Sequence, residues 1–189
     1  MNFLLSVLFL ILLLIIIYSA AYNSLIQVKN DVSTSYANID VQLKKRYDLI
    51  PNLVNTVREY MKYEENTLNQ LISLRTKAIS QLTQSGERLE LDKEISQTLG
   101  SLILSVENYP ELKANNNFLQ LQESLNEVEL NISASRRAFN SYVKNYNTVI
   151  ESFPLIYIAK KLNMQEMKYF EALIEERKVP NIDELFRKS

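Results

Sequence analysis

Neither cysteine nor histidine occurs among the 189 residues. The first absence excludes disulfides, thiolate nucleophiles and zinc–thiolate centres. The second removes the commonest general base and the commonest transition-metal ligand. Triads built on Cys or His are therefore impossible, as is the Glu-x-x-His pair that di-iron sites in helical bundles require. Glycine occurs twice and proline four times, so the backbone is seldom asked to turn and no glycine-rich phosphate loop exists. An excess of one charge is missing too. With 21 basic and 22 acidic side chains interspersed, the net charge is −1, and no basic field is available to hold nucleic acid.

What is present begins with an apolar run. Phe3 to Ala21 carries no charge, and only Ser6, Tyr18 and Ser19 interrupt it. As a helix it spans about 28 Å, close to the hydrocarbon thickness of a bilayer. A cleaved signal peptide is the rival reading, since Ser19-Ala20-Ala21 would serve as a small-residue cleavage site. Met1-Asn2 lacks the positive flank of a signal, and the run exceeds a usual signal core, so a retained anchor is expected. Tyr18 and Tyr22 fall where an interfacial aromatic belt would lie. Basic residues follow the run (Lys29, then Lys44, Lys45 and Arg46) and none precedes it, which favours a cytoplasmic body. The expected organisation is an anchor over 1–21 and one helical domain over 22–186, in a single-pass protein of the cell membrane.

The body reads as helix. Leu25, Val28, Val32, Tyr36, Ile39, Leu43 and Tyr47 repeat with an eleven-residue period, and no Gly or Pro lies between Ala21 and Ile50. The membrane helix is thus expected to run on into the body. Pro51 predicts a sharp turn, with a kinked continuous helix as the alternative. Val57, Met61, Glu64, Leu68, Leu71, Arg75, Ala78 and Leu82 form a heptad seam, which Gly86 is expected to end. Leu91, Ile95, Leu99, Leu102 and Val106 mark a third segment, stopping before Tyr109-Pro110. Residues 110–117 read as a connection whose asparagines cap the next helix. A fourth segment runs from Phe118 through Leu121, Leu125, Val128, Ile132, Ser135, Phe139, Tyr142 and Tyr146 to Val149, ending at Phe153-Pro154. Amphipathic pieces at 155–162 and 167–174 precede a charged end. These stripes must bury one another, and an antiparallel four-helix bundle does so most simply. A single long coiled coil is the alternative.

Polar residues fall in or beside the seams. Glu64 and Arg75 share a face about 16 Å apart, so each needs a partner on another helix if buried. Asp40 and Arg46 on the first segment, and Glu129 and Arg136 on the fourth, are the candidates, with Gln42, Asn140 and Asn147 nearby. Together Asp40, Arg46, Glu64, Arg75, Glu129 and Arg136 define a candidate interhelical polar cluster. It reads either as structural pairing that fixes register or as a polar pocket for a small ligand or peptide end. Glu64, Glu65 and Glu129 fall short of the dense carboxylate sets that hard cations take, so no metal or cofactor is expected. A Ser-Lys hydrolase has no local signature here.

Several blocks resemble the LemA family. They include Tyr22-Asn23-Ser24-Leu25, the long stretch from Asn38 to Val54 (NIDVQLKKRYDLIPNLV), Glu107 to Asn115 (ENYPELKAN), Phe118-Leu119-Gln120-Leu121-Gln122, Tyr146-Asn147, Phe153-Pro154, Tyr169-Phe170-Glu171 and Val179-Pro180. The likeness covers about residues 22 to 186. It implies a bacterial protein with one N-terminal membrane helix, a small external N-terminus and a cytoplasmic body similar to an up-and-down, bromodomain-like bundle. No catalytic residues come with it. The chain departs from the family pattern at Tyr36, where Trp is usual, at Tyr63, where His is usual, and at Val128-Glu129-Leu130-Asn131, where a Thr-Glu-Asn-Arg stretch is usual. Glu64, Arg75, Glu129 and Arg136 match. The sequence thus points to a non-enzymatic, membrane-tethered scaffold or adaptor whose partners are the lipid bilayer and a protein or a second copy. A ligand-sensing bundle and an exported, processed protein are the alternatives.

Overall fold

The computed structural model describes residues 2–80 and 85–170, with side chains over 3–80 and 89–170. All regular structure among these residues is helical. The long elements are α1 (Asn2–Arg58), α2 (Glu65–Ser80), α3 (Ser85–Ser105) and α5 (Asn116–Glu151), with the short α4 (Pro110–Lys113) and α6 (Leu155–Lys161) between and after them.

Helix α1 passes without interruption from the apolar run into the body, as the absence of Gly and Pro predicts. Residues 3–20 are exposed, and burial starts at Leu25 and recurs at Val28, Val32, Ile39, Leu43 and Tyr47. The turn expected at Pro51 does not occur there. Pro51 lies inside α1, which continues to Arg58, and the chain turns at 59–64. A proline inside a helix orphans the carbonyl four residues earlier, here that of Tyr47. The Arg75 side chain of α2 takes that place, its Nε donating to the Tyr47 carbonyl oxygen at 2.7 Å. The helix survives its proline because a neighbouring helix supplies the missing donor.

The described residues divide into two compact units, those within 1–36 and 136–189, and those within 37–135. The unit 37–135 gathers the end of α1, all of α2, α3 and α4, and the start of α5. Four long helical stretches bury apolar faces in it, consistent with a four-helix bundle. Here α1 and α5 run antiparallel: Arg46 reaches Glu129, and further along α1 the Tyr60 hydroxyl accepts from Asn115 Nδ2, earlier on the path of the returning chain. Helices α2 and α3 pack on each other. Leu68, Leu71, Leu74 and Ala78 face inward from α2, so the seam includes Leu74, while Leu82 lies outside the described residues. Gly86 does not follow the end of α2; it lies in the first turn of α3. Burying a leucine contributes about 1.5–3 kcal/mol, several times any difference in helix propensity, so stripe phase decides which face turns in.

The connection 110–117 contains one helical turn, α4, and then the expected cap. Asn115 Oδ1 accepts from the backbone N–H groups of Asn117 at 2.9 Å and Phe118 at 3.2 Å, satisfying two orphan donors of α5. From Phe118 to Phe139 the heptad stripe holds. Beyond that the buried positions are Val143, Tyr146 and Ile150, whereas Tyr142, expected in the core, is 43% exposed. A 3.6-residue helix drifts about 20° per heptad from a strict seven-residue repeat. Three heptads of drift carry residue 142 out of the seam and residue 143 into it.

In the other unit, Tyr36 of α1 meets Phe139 of α5 edge to face, with ring centroids 5.8 Å apart. The chain leaves α6 and returns without helical structure from Met164 to Phe170, where an amphipathic helix was expected from residue 167. Two asparagines one heptad apart on α5 explain the extended form. Asn147 accepts from the Met167 N–H and donates to its carbonyl, both at 2.9 Å. Asn140 does the same to Phe170, at 2.7 Å and 3.0 Å. Two helical turns rise about 10.5 Å and three extended residues about 10 Å, so the spacings match. The side-chain amides act as a substitute strand edge, and Tyr146 adds a bond from its hydroxyl to the Gln165 carbonyl at 3.1 Å. Residues 171–174, and the charged end after them, lie outside the described residues.

Candidate functional site

Arg46 and Glu129 come together, with partners the sequence pattern had not singled out. Arg46 is 1% exposed on α1. One terminal nitrogen, Nη2, donates to Asp92 Oδ1 at 3.2 Å and to the Asp92 carbonyl at 3.4 Å. The other, Nη1, donates to Ser96 Oγ at 2.8 Å and to Glu129 Oε2 at 3.2 Å. Asp92 is itself 2% exposed and also accepts from the Tyr47 hydroxyl. The guanidinium lies 5.8 Å from the Tyr47 ring centroid. One buried cation thus ties α1 to α3 and α5, and its charge is balanced mainly by a carboxylate that is equally removed from water.

The inward face of α3 passes through Asp92 and not through its apolar neighbour Leu91. The positions Asp92, Ile95, Leu99, Leu102 and Val106 have strict 3, 4 spacing and are all buried, while Leu91 is half-buried. The seam itself therefore marked Asp92 as an inward-facing acid.

Arg75 and Glu64 make other bonds. Arg75 serves the Tyr47 carbonyl. Glu64 sits in the turn before α2, where its Oε2 accepts from Thr67 Oγ1 at 3.5 Å. Asp40 is half-buried earlier on α1. Arg136 belongs to the other compact unit, where its guanidinium lies 4.7 Å from the Phe170 ring centroid. Among the described residues, no three acidic side chains gather in a metal-binding set.

A cavity of about 220 Å³ opens beside the network, lined by Arg46, Ser96, Leu99, Gly100, Ile103, Leu125, Asn126 and Glu129. Neither Glu64 nor Arg75 borders it. Leu99, Ile103 and Leu125 give it apolar lining, and the Arg46–Glu129 pair gives it a charged one. Arg46 Nε has no hydrogen-bond partner. A methyl group added at Gly100 would meet nothing within 4 Å, so this glycine leaves space that an alanine could occupy.

The structure defines an all-α protein whose helical body grows out of an exposed apolar N-terminal helix, the one described helix long and apolar enough to cross a membrane. The LemA family model matches residues 35–183, and the chain belongs to that family. It is 26% identical to Protein LemA of Metamycoplasma hominis, across 85% of this chain and 74% of that protein. It is 24% identical to magnetosome protein MamQ of Magnetospirillum gryphiswaldense, across 79% of this chain and 64% of the relative, and 24% identical to magnetosome protein MamQ 2 of Paramagnetospirillum magneticum over the same shares.

Proposed function

We propose that this LemA family protein is a non-enzymatic scaffold or adaptor, held at the cell membrane by α1 with its helical body in the cytoplasm. One observation carries the reading: the uncharged, exposed start of α1 continues into the body with no break in the helix. Such a stalk transmits position from a bilayer to a packed body. A protein partner or a second copy binds the body, which exposes isolated apolar side chains such as Leu104, Leu130 and Tyr63. Lacking cysteine and histidine, the chain offers few groups for acid–base or nucleophilic chemistry. Photo-crosslinking from positions 104 and 130 in native membranes tests this; a discrete adduct of added protein mass is expected, and none at either position overturns it. A single cysteine placed at the exposed Asn69 reports sidedness, and is expected to label only after the membrane is opened. The intact mass distinguishes a retained anchor from one removed after Ala21.

A second reading is favoured by the cavity beside Arg46: a small polar ligand seated between α1, α3 and α5. Amide shifts confined to Ser96, Gly100 and Asn126 on titration with small amphipathic compounds, and lost in Gly100→Leu, would support it. A library producing no such shifts would remove it.

A further inference from the structure

The corner after α5 leaves an aromatic pair in the open. Phe153 is 81% and Tyr157 69% exposed, and their rings meet edge to face at 6.1 Å. Lys160 and Lys161 close α6 and are exposed, and Ser152 to Asn163 contains no acidic side chain. Rings of this size left in water are unfavourable unless something covers them.

The place of this corner says what covers it. It shares a compact unit with the N-terminal part of α1, and Tyr36 meets Phe139 there, so α5 runs back along α1 toward Leu25. From Phe139 to Glu151 the helix rises about 18 Å, and from Tyr36 back to Leu25 about 16 Å. The corner is therefore level with Leu25, which lies only about 6 Å of helix rise beyond Ala21, the end of the uncharged run. A headgroup layer reaches about 5–8 Å beyond the hydrocarbon core. Tyr22, 38% exposed, lies at the same level on α1.

We propose that Phe153, Tyr157, Lys160 and Lys161 form a second membrane contact, seating the aromatic pair in the headgroup layer of an anionic bilayer beside the exit of α1. This rests on the anchored reading above. Exposed rings flanked by lysines are the composition of interfacial belts, and the two positive charges complement acidic lipid. Two contacts, one spanning and one lying in the surface, fix the tilt of this unit where the spanning helix alone would leave it free.

The chain contains no tryptophan, so single-tryptophan variants of the full-length protein report depth cleanly. Tyr157→Trp and, separately, Phe153→Trp are placed in vesicles of phosphatidylcholine with phosphatidylglycerol, with and without bromine on the acyl chains near the headgroup. A blue-shifted emission quenched by bromine is expected for both. Tyr63→Trp, just past the end of α1, is expected to be unaffected. Replacing Lys160 and Lys161 by Gln lowers the docked-to-undocked ratio by about fivefold per lysine in anionic membranes and little in pure phosphatidylcholine. Phe9→Trp, read with bromine placed deep on the acyl chains to match its depth in the span, separates the two ideas. If Phe9→Trp is quenched while Trp at 153 and 157 stays wet, the anchor holds and the second contact is overturned; if Phe9→Trp is itself unquenched, the anchored reading fails. A blue shift that ignores bromine and grows with protein density would assign the patch to a second copy, and overturn the proposal.

Discussion

The two compact units close their interiors with different chemistry. In residues 37–135 a buried guanidinium joins three helices, and its stability depends on a balancing carboxylate. In the other unit, neutral amides on α5 hold an extended return segment through backbone groups. A charged network fails as a whole, because removing one partner strands the other charge away from water. A neutral one fails piecemeal, each lost bond costing about 1 kcal/mol. The first arrangement enforces which helices meet; the second sets where one strap lies.

The comparison breaks most sharply at Arg46, whose two carboxylate partners both lie at 3.2 Å but differ in burial. Asp92 has a side chain 3% exposed and Glu129 one 51% exposed. Asp92→Asn is expected to destabilise the body by about 3–5 kcal/mol in chemical denaturation, while Glu129→Gln costs about 1 kcal/mol or less. Replacing the pair together, Arg46→Met with Asp92→Leu, should recover most of the loss. Equal effects for the two acids would show that Arg46 is not desolvated. In the other unit Asn147→Ala removes two bonds to Met167, for an expected loss of about 2 kcal/mol, with faster amide exchange confined to the strap.

Between these lies the proline. Arg75→Met should cost about 1–2 kcal/mol by orphaning the Tyr47 carbonyl. Adding Pro51→Ala restores the helical N–H and should return much of that loss, so the two substitutions are coupled rather than additive. Gly100→Ala has the opposite sign: it adds a methyl group to open space in α3 and should stabilise by about 1 kcal/mol in thermal unfolding. A loss instead would mean the space is needed.

Much of this is legible in the sequence. Apolar spacing located α1, α3 and α5, and the asparagine cap before Phe118 followed from residue type. What escaped were effects that depend on a neighbour. Pro51 reads as a break until Arg75 is seen beside it. Asp92 is the exception, since the 3, 4 spacing of Ile95, Leu99, Leu102 and Val106 already phases it inward. Residues 167 to 170 read as helix, since nothing local reveals that Asn140 and Asn147 lie alongside. Charge and hydrophobicity are local quantities; partners are not.

The pH-dependent effect comes from Tyr146, whose phenol pKa is raised above the ordinary 10.0 because burial disfavours the charged form. Below pH 10 the phenol is neutral whether the chain is folded or not, and stability does not respond to it. As pH climbs through the unfolded value, the unfolded chain ionises first, and the folded state loses ground until its own, higher value is passed. Tyr146→Phe removes this term together with the bond to Gln165. The variant should therefore be weaker by about 1 kcal/mol at neutral pH, yet lose stability less steeply above pH 10. Parallel curves for the two proteins would show that the hydroxyl is wet and that the strap does not shield it.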